Sequence, residues 1–192
     1  MHINIPNILT LGRIALIPVF IGVFYLPDTW MCMAQKNVLA TIFFIAAAIT
    51  DWLDGYLARV LKQTSAFGAF LDPVADKLMV AASLIMLVQL GRVDVLVSII
   101  IIGREITISA LREWMALEGQ SASVAVATIG KLKTTAQMTA IPMLLFYAPI
   151  LGVDMHIVGS ILIYVAAALT LWSMGYYLHR AMAGMTKDSG QD

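Results

Sequence analysis

The sequence is short of charge and of cysteine. Only 12% of its 192 residues are charged, and the formal net charge is zero. Without a basic block or an acidic tail, nothing indicates nucleic acid binding or a bulk electrostatic partner. The single cysteine, Cys32, excludes a disulfide within the chain and a cysteine-based metal site. No Lys or Arg precedes the first apolar run, and no small-residue cleavage site follows it, so we expect the N-terminus to be retained.

Hydrophobic residues make up 60% of the chain, and the mean hydropathy of +0.87 lies outside the range of an ordinary soluble domain. Six apolar segments are near the length of about 20 residues that crosses a hydrocarbon core of about 30 Å. These segments are Ile8–Leu26, Val38–Val60, Phe67–Leu90, Val95–Leu117, Thr134–Leu151 and Ile157–Leu178. Helices are expected because each satisfies its own backbone hydrogen bonds in lipid, and the alternation of barrel strands is absent. The sequence therefore predicts one all-α integral membrane domain over residues 1–192, a bundle of six transmembrane helices.

The basic residues predict the orientation of this bundle. With the N-terminus inside, two of the 12 Lys and Arg residues, Lys36 and Arg92, face out, and the other ten lie at or toward the cytoplasmic side. Cytoplasmic loops of membrane proteins carry such an excess of positive charge. We therefore expect both termini to be cytoplasmic.

Four aspartates interrupt the second and third apolar segments. Asp51 and Asp54 are three residues apart, and Asp72 and Asp76 are four apart, so each pair lies on one helical face. Charges within membrane spans are costly and usually face a bundle interior or a wet cavity. Helix capping could explain one carboxylate, such as Asp72 before Pro73, but it does not readily explain four on two facing stripes.

Four converging carboxylates repel one another unless cations neutralise them. Oxygen ligands without His or Cys favour Mg²⁺ or Mn²⁺ over zinc, and two such ions about 3.5 to 4 Å apart form a clamp for phosphoryl groups. Gly55, Ala58 and Gly68 would leave room for a bulky ligand beside the helix backbone. Arg59 shares the face of the first aspartate pair, although it could also be an anchor on the cytoplasmic side. The pattern predicts a site for two divalent cations and a phosphate-bearing ligand.

The spacing D-x2-D-G-x2-A-R-x8-G-x3-D-x3-D covers residues 51–76 and resembles the signature of the CDP-alcohol phosphotransferases. Further stretches that resemble members of this family span nearly the whole chain: NIPNILTLGR, FGAFLDPVADK, GREITISALREWMA, GKLKTTAQM and LTLWSM. The resemblance implies a six-helix, usually homodimeric enzyme of the bacterial inner membrane with its active site facing the cytoplasm. It implies transfer of a phosphatidyl group from CDP-diacylglycerol to sn-glycerol 3-phosphate, with release of CMP. Inositol phosphate, serine and phosphatidylglycerol remain alternative acceptors.

The resemblance also implies roles for individual residues. Asp51, Asp54, Asp72 and Asp76 would hold the two divalent cations, and Asp76 would be the general base. The residues implied for CDP-diacylglycerol binding are Asn7, Thr10, Asp51, Gly55, Arg59, Ser65 and Gly68.

An acceptor that carries its own phosphate needs a second group of cations. Arg104, Arg112, Lys131 and Lys133 are expected toward the same membrane face as the aspartates, and an arginine fork can bind two phosphate oxygens. The alternative is that Arg104 balances Glu105 within the bundle and that Lys133 extends to the lipid headgroups.

A cation transporter or channel could also place carboxylates among helices. Its pathway should cross the midplane, with discontinuous helices or acidic residues on both sides. Asp28, Asp94 and Asp154 lie in predicted outer loops and form no partner set, so an enzyme is favoured.

Overall fold

The computed structural model describes residues 5–60, 66–117 and 126–188, with side chains in these ranges except at 5–6, 55, 57–59, 66–67, 69, 112–117, 126–131 and 176–188. Within them the chain forms six α-helices: α1 Ile5–Tyr25, α2 Met33–Val60, α3 Ala66–Gln89, α4 Val95–Leu117, α5 Val126–Phe146 and α6 Met155–Asp188. The all-helical architecture was predicted. Three helical stretches in the described ranges are long and apolar enough to cross a membrane: Asn7–Tyr25, Met33–Asp54 and Met155–Gly175.

The fifth helix differs most from its predicted bounds. The apolar run predicted Thr134–Leu151, whereas α5 begins at Val126 and ends at Phe146. Tyr147 and Leu151 adopt φ angles of 56° and 51°, which end the helix and turn the chain toward α6. The residue before Pro149 is also biased away from helical geometry. Hydropathy continues through this turn, so it cannot reveal the end of the helix.

The other turns follow ordinary capping chemistry. At the end of α3, Gly91 has a φ of 68°, and the amides of Gly91 and Arg92 donate to the carbonyls of Val88 and Leu87, both at 2.9 Å, which is a Schellman motif. Asp94 accepts a hydrogen bond of 2.7 Å from the amide of Leu96 and so caps α4. Gly91 and Asp94, in the turn between α3 and α4, therefore have structural roles at the helix ends.

Helix α1 packs against both α2 and α3, and it contacts each of them more extensively than they contact each other. Helix α5 packs against α6 and α2, and α4 against α6 and α3. Among the described residues, the large apolar side chains that are fully buried include Phe20, Phe44, Leu84, Leu87, Ile101, Ile108, Ile141, Leu144, Leu145 and Ile163. Many large hydrophobics are exposed on the outside, including Ile49, Leu96 and Ile161. An apolar exterior of this kind is suited to lipid.

A buried arginine joins three elements at the end of the bundle where α3 and α5 finish. Arg92 donates to the carbonyls of Leu144 and Leu145 at 3.0 and 2.8 Å and to Asn37 Oδ1 at 2.8 Å. Its guanidinium also lies 4.2 Å from the ring centroid of Tyr147, a cation–π contact. Arg92 thus ties the α3–α4 turn to α2 and to the last turn of α5.

Candidate active site where three helices meet

One face of α1 is polar and buried. Asn7, Thr10 and Arg13 are spaced three residues apart, which places them on one side of the helix, and they are 5%, 0% and 3% exposed. Because α1 lies against both α2 and α3, this face meets the two helices that carry the aspartates.

Arg13 binds the aspartate pair of α2. Its Nη1 donates to Asp51 Oδ1 at 2.5 Å, and its Nη2 donates to Asp54 Oδ2. The side chain of Asp54 is 2% exposed and that of Asp51 is 42% exposed. Charge-assisted hydrogen bonds such as these are about twice as strong as neutral ones, so the two carboxylates are held at one guanidinium.

Thr10 connects α1 to the aspartate pair of α3. Its hydroxyl donates to Asp72 Oδ1 at 2.5 Å. Asp76 lies one turn further along α3 and interacts electrostatically with Asp51 and Arg13. A small cavity of about 10 Å³ is lined by Arg13, Asp76 and apolar side chains of α2, α3 and α5. The four aspartates therefore lie beside the polar face of α1, close to Thr10 and Arg13.

The donor set fits a hard divalent cation in its chemistry, since it offers carboxylate oxygens with a hydroxyl beside them. Among the described residues no three Asp, Glu, His or Cys side chains form a metal-binding group, and Arg13 occupies oxygens of both Asp51 and Asp54. A metal ion at these oxygens would compete with the guanidinium.

A second charged cluster joins α4 to α5 and α6. Lys133 donates to Glu105 Oε1, and Arg104 Nη1 lies 3.8 Å from the same oxygen. Arg104 Nη2 donates to Ser173 Oγ at 3.1 Å. Arg104 and Lys133 are buried at 6% and 1% exposure, and Glu105 interacts electrostatically with Asp76. Two buried cations and one carboxylate thus carry a net charge of +1 next to the aspartate site.

The remaining predicted site residues divide into two groups. Gly68 is buried in the first turn of α3. The other positions lie outside the residues or side chains that the structure describes: Gly55, Arg59, Ser65, Arg112 and Lys131.

Two residues of the site had no predicted role in it. Arg13 was assigned only to the cytoplasmic positive charge, and Glu105 only to charge balance with Arg104. The spacing of Asn7, Thr10 and Arg13 was the available signal for Arg13, because a third residue on the same helical face shares the environment of the first two. Glu105 had no comparable signal, since its partner Lys133 is 28 residues away.

Six helices, an apolar exterior and a cluster of aspartates from two helices are the features of a membrane-embedded transferase site. The chain belongs to the CDP-alcohol phosphatidyltransferase family, which it matches over residues 3–172. Members of this family generally depend on a divalent metal.

Curated relatives cover nearly the whole chain. It is 51% identical over 187 residues to a protein of Shigella flexneri serotype 5b (strain 8401), covering 96% of this chain and 98% of that protein. It is 50% identical over 187 residues to a protein of Escherichia coli (strain K12), with the same coverage. It is 50% identical over 183 residues to a protein of Pectobacterium atrosepticum, covering 94% and 96% of the two chains. Each of these relatives is named CDP-diacylglycerol–glycerol-3-phosphate 3-phosphatidyltransferase.

Proposed function

We propose that this chain transfers a phosphatidyl group from CDP-diacylglycerol to sn-glycerol 3-phosphate and releases CMP. Relatives that are 50% and 51% identical over nearly their full length carry the name of this reaction. The structural observation that carries the proposal is the meeting of Asp51, Asp54 and Asp72 at one buried face of α1. Carboxylates from two helices that converge in this way suit a substrate bearing a pyrophosphate, because cations held by them neutralise both phosphates.

In the proposed reaction the acceptor hydroxyl oxygen attacks the lipid-bearing phosphorus in line with the leaving group. The bond between that phosphorus and the bridging pyrophosphate oxygen breaks, and CMP leaves with its electron pair. Asp76 takes the proton of the attacking hydroxyl as general base. Asp51, Asp54, Asp72 and Asp76 would hold two divalent cations, Mg²⁺ or Mn²⁺, which when bound supply the charge that stabilises the transferring phosphoryl group.

The two substrates would bind to different sets of residues around Asp76. The proposed residues for CDP-diacylglycerol are Asn7, Thr10, Asp51, Gly55, Arg59, Ser65 and Gly68. The acceptor phosphate would bind to Arg104 and Lys133, together with Arg112 and Lys131. Support for this placement comes from the electrostatic interaction of Glu105 with Asp76, since Glu105 lies between Arg104 and Lys133.

The proposed setting is the bacterial inner membrane, with six spans, both termini in the cytoplasm, the active site on the cytoplasmic side and a homodimeric assembly. Three helical stretches in the part of the chain that the structure describes have the length and hydropathy of spans. Helices α3, α4 and α5 carry the charged residues of the site, which lowers their hydropathy. The excess of basic residues on one side supports the orientation.

A reconstitution assay tests the proposed reaction. The purified full chain, in detergent–lipid micelles containing CDP-diacylglycerol and Mg²⁺ or Mn²⁺, receives a panel of acceptors: sn-glycerol 3-phosphate, inositol phosphate, serine and phosphatidylglycerol. We expect CMP release that depends on sn-glycerol 3-phosphate and a lipid product of the mass of phosphatidylglycerophosphate. Preference for another acceptor would contradict the acceptor assignment alone. Absence of CMP release with every acceptor would contradict the reaction.

A further inference from the structure

Arg13 binds two of the carboxylates that the proposed function assigns to metal ions. We propose that Arg13 is an internal counter-cation of this site, which holds Asp51 and Asp54 until divalent cations replace it and then binds a phosphate of the nucleotide lipid. Arg13 would thereby couple metal binding to CDP-diacylglycerol binding. This inference rests on the proposed metal-binding role of the aspartates.

The first step of the argument is competition for the same oxygens. Arg13 Nη1 lies 2.5 Å from Asp51 Oδ1, and Nη2 binds Asp54 Oδ2. Mg²⁺ binds carboxylate oxygens at about 2.0 to 2.1 Å and requires near-octahedral geometry. The guanidinium occupies one oxygen of each carboxylate, and two positive charges at one site repel each other. A metal ion that binds these two oxygens would therefore compete with the two ion pairs.

The second step is the position of Arg13 after its displacement. The side chain is 1% exposed, and Nε is buried without a hydrogen-bond partner among the described residues. A buried guanidinium deprived of its carboxylates carries an uncompensated charge, which is strongly unfavourable. An anion that takes the place of a lost aspartate would compensate this charge, and an arginine fork fits phosphate oxygens well.

The third step identifies which phosphate binds. Arg13 is on the buried face of α1 that also carries Thr10, the partner of Asp72. Arg104 and Lys133, which are proposed for the acceptor phosphate, lie on α4 and α5. Glu105 neutralises part of their positive charge. We therefore expect Arg13 to bind the pyrophosphate of the nucleotide lipid. Binding of the metal ion should then raise the affinity for CDP-diacylglycerol, and binding of CDP-diacylglycerol should raise the affinity for the metal ion by the same factor.

The test measures metal binding directly. The full chain in lipid nanodiscs is titrated with Mn²⁺, and free Mn²⁺ is followed by electron paramagnetic resonance with no substrate, with CDP-diacylglycerol, or with sn-glycerol 3-phosphate. For the unmodified chain we expect CDP-diacylglycerol to raise the Mn²⁺ affinity by about tenfold or more, and sn-glycerol 3-phosphate to raise it less. For Arg13→Gln we expect Mn²⁺ affinity without substrate to rise by about tenfold and the gain from CDP-diacylglycerol to shrink.

Three variants make the outcome decisive. Arg92→Gln alters a buried arginine far from the site and should leave Mn²⁺ affinity unchanged. Arg13→Lys keeps the charge but cannot contact both carboxylates as a guanidinium does. Its Mn²⁺ affinity without substrate should therefore lie between those of the unmodified chain and Arg13→Gln. Asp72→Asn tests the proposed metal site by itself, because unchanged Mn²⁺ binding there would contradict the site whatever Arg13 does.

The inference is overturned if folded Arg13→Gln binds Mn²⁺ no more tightly than the unmodified chain, because Arg13 would then only position the aspartates. If Arg13→Gln does not fold, Arg13→Lys decides. If Arg13→Lys binds Mn²⁺ without substrate no more tightly than the unmodified chain does, the inference is overturned in the same way. A gain from CDP-diacylglycerol that is as large in Arg13→Lys as in the unmodified chain would also contradict the proposed coupling.

Discussion

Replacing Thr10 with valine removes the hydroxyl that donates to Asp72 Oδ1 at 2.5 Å and keeps the shape of the side chain nearly unchanged. Thr10 is fully buried, so water cannot readily take the place of the lost donor. A hydrogen bond to a charged group contributes about 1.5 to 3 kcal/mol, which corresponds to about tenfold to a hundredfold in an equilibrium constant. Mutation of a residue that orients a metal ligand typically lowers metal affinity or activity by the same factor. We therefore expect Thr10→Val to lose about tenfold to a hundredfold in Mn²⁺ affinity or in kcat/KM for CDP-diacylglycerol.

The assay is release of CMP at varied Mn²⁺ and CDP-diacylglycerol concentrations, with thermal unfolding measured in parallel. Thr41→Val is the matched control: Thr41 is also buried, and its hydroxyl donates to the carbonyl of Asn37 within the same helix at 2.7 Å. Its kinetics should stay within about twofold of the unmodified chain, since it loses only a local hydrogen bond. Thr10→Ser, which retains the donor, should restore most of the activity. Full activity and unchanged Mn²⁺ dependence in Thr10→Val would refute the role assigned to the Thr10–Asp72 contact.

Three further substitutions examine the base, the acceptor subsite and the packing. Asp76→Asn should abolish turnover while CDP-diacylglycerol still binds measurably, because the proton acceptor is lost; a fully active variant would remove Asp76 as the base. Arg104→Ala should raise KM for sn-glycerol 3-phosphate far more than KM for CDP-diacylglycerol, and equal increases would indicate a structural role. Gly159→Ala should lower the free energy of unfolding by about 1 to 3 kcal/mol, because its Cβ would lie 2.8 Å from Leu144 Cγ. Gly175→Ala, whose Cβ would meet no described atom within 4 Å, is the control, and equal stability of both variants would contradict the close α5–α6 contact.

Hydropathy and spacing were enough to predict the helical architecture. Long apolar runs in lipid have little alternative to helices, and the predicted second and fourth segments end at Val60 and Leu117, where α2 and α4 end. The end of α5 could not be predicted in this way. Its last turn depends on the φ angle of Tyr147, and high hydropathy continues through the residues that follow.

The aspartate pairs were recognisable because each lies within one or two turns of a single helix. The partners of those aspartates were not, because they come from another helix. Arg13 is 38 and 41 residues from Asp51 and Asp54, and Thr10 is 62 residues from Asp72. Only the packing of α1 against both α2 and α3 brings these residues together. Long-range pairing of this kind requires the tertiary structure.

The central claim is that the aspartates around α1 act by holding divalent cations during phosphatidyl transfer. It is tested most directly by following CMP release from CDP-diacylglycerol and sn-glycerol 3-phosphate after exhaustive chelation and again after Mg²⁺ or Mn²⁺ is restored. We predict loss of turnover on chelation and its recovery with either ion. Undiminished turnover in the chelated protein would contradict the claim.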